Sequence, residues 1–182
     1  MSKQKKAATA ADVIRARRIA LNTRQEYVSL FGRVVVLALT AYVIFTQVFL
    51  ITQNKGLDMF PAMKDGDLVI AYRLQRDYVK NDVVVYTVDG VRKVGRIVAN
   101  SNDVVTIEEN GTLRVNGAVQ SGDIFYPTYP NTGTEYPYQI PDGNVFILGD
   151  YRTNTTDSRD YGPISKEYLE GKAITILRRR GL

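Results

Sequence analysis

Few side chains in this sequence are equipped for nucleophilic or acid–base chemistry. Its 182 residues include no His and no Cys. An imidazole base, a thiol nucleophile, a disulfide and a zinc knuckle are therefore excluded. Among common nucleophile–base pairs, Ser or Thr with Lys survives, as does a pair of carboxylates sharing a proton. Beyond residue 55 the serines are Ser101, Ser121, Ser158 and Ser165. Asp58 and Asp157 are the carboxylates to consider for an acid pair, although no spacing motif links them. Neither a cofactor nor a metal is expected.

Positioning such residues falls to elements whose charge is unevenly spread. Residues 1–33 carry eight Lys or Arg against two acidic residues, a net +6 within a total of +5. The remaining 149 residues hold 16 basic and 17 acidic side chains, net −1. The basicity belongs to an arm, so it gives no ground for a nucleic-acid partner. Residues 34–54 then pass without a charge. A helix of that length, at ~1.5 Å per residue, reaches roughly 30 Å, one hydrocarbon core. No small-x-small cleavage site follows, which favours a retained span over a removed signal peptide. The basic arm sets the N-terminus in the cytoplasm by the positive-inside rule. The expected organisation is a basic cytoplasmic arm (1–33), a transmembrane helix (34–54) and an extracytoplasmic domain (55–182), making a single-pass cell-membrane protein.

Beyond residue 55 the pattern shortens to Val-, Ile- and Tyr-rich runs at 68–72, 82–88, 91–98, 103–109, 112–117, 144–150 and 172–178. Asp89-Gly90, Asn110-Gly111, Asn116-Gly117 and Asp142-Gly143 mark turns between them. The fold class is mainly β, an antiparallel domain preceded by a single N-terminal transmembrane helix. Residues 126–138 alternate Tyr and Pro and read as an exposed, semi-extended loop, either a surface excursion or a partner contact.

Four blocks after the span carry a family resemblance: GLDMFPAMKDGDLVI (56–70), NDVVVYTV (81–88), RKVGRIVANSNDVV (92–105) and GDYRTNTTDSRDYGPI (149–164). In this order they resemble the bacterial type I signal peptidases. The last block is the most specific, with Gly149, Asp150, Arg152, Asn154, Asp157, Ser158, Arg159 and Gly162 all in place. The resemblance implies a mostly β, signal-peptidase-like domain close to the membrane surface, whose groove takes an extended peptide as an added strand.

It also implies a Ser nucleophile with a Lys general base, and here the chain departs. The Ser position of Ser-Met-x-Pro holds Asp58, followed by Met59, Phe60 and Pro61. The Lys position holds Gly95, followed by Arg96. Lys93 faces the same side of a strand as Gly95, but ~6.6 Å further along. Other departures are Ala62, Tyr151, Thr155 and the run Asn100-Ser101-Asn102. The reading is a pseudoenzyme, with degenerate dyad positions at Asp58 and Gly95. Asp58, Met59, Phe60, Pro61 and Arg96 are expected to bind a partner. Asp58 would favour a cation that enters the space left at Gly95, while Met59 and Phe60 offer apolar contacts to lipid or peptide. Asp157, Ser158 and Arg159 are expected to support the loop. Inactive members of this kind resemble the signal-peptidase-like proteins of Gram-positive pilus assembly, chaperones or accessory factors beside a sortase. The implied partners are the membrane and a pilin subunit, a sortase or both. The alternative is a divergent, active signal peptidase that cleaves preproteins.

Overall fold

The computed structural model describes residues 10–120, 124–131 and 134–179. Lys3, Lys5 and Lys6 of the arm, and Ser121, lie outside the described residues. The chain divides into two compact units at residues 1–44 and 45–182.

In the first unit, α1 (Ala10–Val43) is a helix of 34 residues. It joins a π-helical segment, Ile44–Val48. Within this stretch, Thr23–Val48 is apolar and long enough to cross a membrane. Val34, Leu37, Leu39, Tyr42 and Phe45 all expose their side chains, as suits a helix whose solvent is lipid. The helix begins earlier than the expected span and ends sooner. Residues 49–53 form a strand, β1 (Phe49–Gln53). It pairs antiparallel with β2 (Leu68–Tyr72), Phe49 opposite Tyr72 and Gln53 opposite Leu68. Absence of charge is common to a lipid-facing helix and an apolar strand, so hydropathy alone ran the two together.

In the second unit every strand pairing among the described residues is antiparallel. Its remaining strands are β3 (Val83–Val88), β4 (Val91–Asn100), β5 (Val104–Ile107), β6 (Leu113–Val115), β7 (Ala118–Val119), β8 (Tyr138–Gln139), β9 (Asn144–Leu148), β10 (Ile164–Ser165) and β11 (Leu169–Leu177). One sheet runs β1-β2-β11-β3-β4-β9-β10 and the other β7-β6-β5-β8. The Asp89-Gly90 and Asn116-Gly117 pairs have positive φ at both residues. That is the geometry of two-residue hairpin turns, which Asn, Asp and Gly reach at least cost. These turns set Val88 opposite Val91 and Val115 opposite Ala118. Of the Tyr/Pro loop, residues 126–131 and 134–138 are described. Tyr129 is exposed, whereas Thr128 is buried.

Among the described residues the core has three buried clusters. Val98, Val105, Ile107, Leu113, Ile140 and Phe146 fill the space associated with the smaller sheet. Val84, Tyr86, Ile97, Val145, Ile147 and Ile164 form a second cluster on the larger sheet. Leu50, Met59, Met63, Val69, Ala71 and Val85 form the third, so an aliphatic layer underlies the turn that carries Asp58.

Candidate functional site

Asp58 sits in the connection from β1 to β2. Backbone bonds from Phe60 to Leu57 and from Met63 to Met59, each 2.8 Å, wind this connection into turns. Met59 anchors it from below and is fully buried. This corrects the expectation that Met59 contacts lipid or a partner, since that side chain is already spent on the core. Phe60 is half-buried, its ring 5.9 Å from that of Tyr151, which lies 4.6 Å from Tyr126. Pro61 is exposed.

The Asp58 carbonyl accepts the Tyr151 N–H at 3.0 Å, tying the turn to the loop after β9. On its other side, Asp58 Oδ2 lies 3.4 Å from Lys93 Nζ, which also donates to the Thr156 carbonyl at 2.9 Å. Displacement along β4 does not keep Lys93 away from position 58, because its long side chain spans the offset without any register slip. Asp58 already has its counter-charge within the chain, so it is no open receptor for a partner's cation. Nor is there space at Gly95. A Cβ there would stand 2.5 Å from Ile147 Cγ2 and 3.1 Å from Tyr86 Cε1. Gly95 is required by a close approach of side chains, and the expected cavity is filled.

Arg96 is likewise engaged. It forms a bidentate pair with Asp150 at 2.8 and 2.7 Å and donates to the Asn81 carbonyl at 3.0 Å. Asp157 caps the short helix α2 (Ser158–Tyr161) through a capping box with Asp160. The Asp157 carboxylate also accepts both Arg159 Nε and Nη2 at 2.9 Å and the Gly149 N–H at 3.2 Å. This pair is almost wholly buried. Ser158 is buried as well, and its Oγ accepts the Ile147 N–H at 3.0 Å. Ser158 is therefore turned toward the back of β9. Behind Gly95, the Tyr86 and Tyr161 hydroxyls share a 2.7 Å hydrogen bond, and burial pushes both phenols well above their ordinary range.

Two depressions flank Asp58. A groove of about 230 Å³ is lined by Thr52, Gln53, Asn54, Lys55 and residues 91–94. Here β1 is an edge strand, and β4 pairs with β9 only from Arg96 onward. Both walls thus present backbone edges without a partner strand among the described residues, the arrangement that accepts an added strand. On the other side lies a polar cleft of about 480 Å³, lined by Leu57, Asp58, Asn131, residues 152–156 and Arg159. Arg152 in its wall is 1% exposed, and burial pushes its guanidinium down to about 10. The resemblance placed Arg152 in the motif but gave it no role, and Thr155 entered only as a departure from it. Gathering both around one cleft depends on the three-dimensional path of the loop. Among the described residues, no cluster suited to a metal ion occurs.

Chemically, position 58 offers a carboxylate beside a lysine that is donating to two oxygens. A general base must instead accept a proton, and a carboxylate is a poor nucleophile toward an amide. A groove open to an added strand thus lies next to motif residues locked in structural pairs. The family model described as "Signal peptidase, peptidase S26" matches residues 24–177, and the chain belongs to that family. It is 27% identical over 164 residues to signal peptidase I of Bacillus licheniformis, covering 82% of this chain and 86% of that protein. It is 29% identical over 132 residues to thylakoidal processing peptidase 1 of Arabidopsis thaliana, covering 64% of this chain and 38% of that one. A second Arabidopsis relative, probable thylakoidal processing peptidase 2, is matched over 34% of its length. This chain thus spans little more than a third of either plant relative. A signal peptidase I crystal structure from Enterococcus faecalis aligns with a TM-score of 0.47 at 23% identity, covering 55% of this chain and 98% of that one.

Proposed function

We propose that this protein is a non-catalytic, membrane-anchored member of the signal peptidase family that holds an extended polypeptide in the groove between β1 and β4. Its place is as a chaperone or accessory factor in sortase-dependent pilus assembly of Gram-positive bacteria, with a pilin subunit, a sortase or both as partner. The N-terminus lies in the cytoplasm and the β domain outside. One observation carries the reading. The strand-accepting edges are open, while position 58 is an aspartate paired with Lys93 and position 95 is closed by Ile147 and Tyr86. The binding half of a peptidase persists where the cleaving half does not.

A divergent active peptidase is the second reading, and Lys93 favours it, because a lysine does reach the nucleophile position. The test uses the full chain in membranes, with a photo-crosslinking residue at Val91 and pilin and sortase co-expressed. Crosslinks to pilin or sortase, together with no cleavage of a signal-peptide-bearing preprotein, are expected. Cleavage that Asp58→Ala abolishes would overturn the non-catalytic reading. Absence of crosslinks from the groove would overturn the binding role.

A further inference from the structure

Unmatched positive charge is gathered at one end of the groove. Two cations in its lining are neutralised, Arg92 by Glu170 and Lys93 by Asp58. Lys55, the third cation in the lining, is exposed and has no ion-pair partner among the described residues. Lys64, Arg178 and Arg179 are exposed as well, and they too lack an ion-pair partner among the described residues.

Strand pairing brings these four residues to one place. Gln53 of β1 lies opposite Leu68 of β2, and Leu68 lies opposite Leu177 of β11. Arg178 and Arg179 therefore leave β11 beside the connection from β1 to β2, which carries Lys55 and Lys64. The Arg179 N–H donates to Asp67 Oδ1 at 2.9 Å. A Cβ added at Gly66 would stand 3.5 Å from both Arg179 Nη1 and Gln53 Nε2. The guanidinium thus borders Gln53, itself a lining residue of the groove. The carboxylates of this connection face backbone instead. Asp65 accepts the Gly56 N–H at 2.7 Å, and Asp67 accepts those of Lys64 and Arg179. Four cations stand against these two carboxylates.

A single exposed lysine is ordinary surface. Here one of the cations is part of the groove wall and another borders it, so a strand lying along β1 meets them without leaving the groove. Gathered like charges repel, and an acidic partner relieves that repulsion while being steered toward it. We propose that the polypeptide held in the groove carries Asp or Glu residues at the end that passes Gln53 and Lys55, with Lys55 and Arg179 as their ion-pair partners. Lys64 and Arg178 strengthen the field there. This rests on the groove reading above, and it adds a specificity: the partner segment is acidic at one end of the stretch that pairs with β1 and β4. Leu68 and Leu177 are exposed beside the cations, which makes an anionic lipid the rival occupant.

The test measures binding to the full chain in non-ionic detergent micelles. The probes are acetylated, amidated Ser/Thr-rich peptides with a Glu pair at the N-terminal end, a Glu pair at the C-terminal end, or Gln in place of both pairs. One of the two Glu peptides is expected to bind about tenfold more tightly than the Gln peptide at low salt, through two screened pairs in a cationic field, and to lose that advantage as salt rises. Lys55→Glu/Arg179→Glu should abolish the preference. Arg178→Glu/Arg179→Glu, outside the groove lining, should reduce it, and it keeps the test decisive if the change at Lys55 disturbs the groove itself. Equal binding of the three peptides overturns the inference and leaves the groove reading intact. So does a preference that survives both variants, as attraction to the basic N-terminal arm would. Failure of every peptide to bind overturns both readings. Displacement of the Glu peptide by short-chain phosphatidylglycerol, but not by phosphatidylcholine, overturns the assignment to a polypeptide in favour of a lipid headgroup.

Discussion

Lys93 changes the meaning of an aspartate at position 58. A lone carboxylate beside the groove would draw a cation from a partner, but one 3.4 Å from an ammonium is already matched. The two side chains are 30% and 21% exposed, so water screens the pair, which is worth about 0.2–1 kcal/mol. Asp58→Ala should therefore shift the melting temperature only slightly and leave groove crosslinking nearly unchanged. Lys93→Ala should cost more, because it also removes the bond to the Thr156 carbonyl. A large loss of crosslinking from Asp58→Ala alone would restore the idea of a receptor for a cationic partner. Position 95 behaves differently. Any side chain there meets Ile147 Cγ2 at 2.5 Å, and overpacking of that kind costs about 1–3 kcal/mol. The double variant Asp58→Ser/Gly95→Lys, intended to rebuild a dyad, is expected to unfold at lower temperature than Asp58→Ser alone, by thermal melting of the full chain. The single variant is the better probe of latent hydrolysis, since it sets a hydroxyl beside Lys93 without disturbing the core.

At the scale of elements, α2 has only four residues and does not stand by helical propensity. It is held by Asp157, which caps it, pairs with Arg159 and anchors Gly149. Asp157→Ala leaves the Arg159 guanidinium buried without its carboxylate, and breaking one side of a buried pair costs about 3–5 kcal/mol. Denaturant unfolding should show a loss of that order, and a change below about 1 kcal/mol would mean that the loop is held elsewhere. The connection from β1 to β2 has its own carboxylate anchor. Asp67 accepts the Lys64 and Arg179 N–H groups, each at 2.9 Å. The Lys64 bond leads in holding its carboxyl below the ordinary range, against desolvation. On β11, the Arg92 hydrogen bond lowers Glu170 in the same direction. A folded-state value below the unfolded one contributes stability above about pH 4 that is lost as pH falls through the folded values. Unfolding midpoints should hold near neutrality and drop on acidification below that point; Asp67→Asn should flatten the drop. Much of this architecture was legible in the residues. The run 68–72 coincides with β2, and the turns at Asp89-Gly90 and Asn116-Gly117 fall where their residue types place them. The two-residue strands β7, β8 and β10 were not legible, because so short a run carries no periodicity. The site was half legible. Motif residues could be aligned by type, but the Lys93–Asp58 contact and the closed space at Gly95 depend on side-chain reach and packing, which spacing along the chain does not encode.

Over the whole molecule, the +5 net charge averages a strongly basic N-terminal segment and a nearly neutral remainder. These belong to different surroundings if the apolar helix spans a bilayer. The apolar run by itself suggested a span ending at residue 54, whereas in the structure the helical part closes at Val48 and Phe49 opens a strand. The two placements make opposite forecasts for Ile51. That residue pairs with Ile70 across β1 and β2, and its side chain is exposed. In a strand outside the bilayer, Ile51→Arg adds an ordinary surface charge and should leave the chain in the carbonate-resistant membrane pellet. Val36 and Leu37 lie near the middle of Thr23–Val48. An arginine at a helix centre costs about 2.5–3.5 kcal/mol of insertion energy, so the double change Val36→Arg/Leu37→Arg should release the chain to the supernatant. Release by Ile51→Arg would return β1 to the span, and retention after the double change would remove the span altogether.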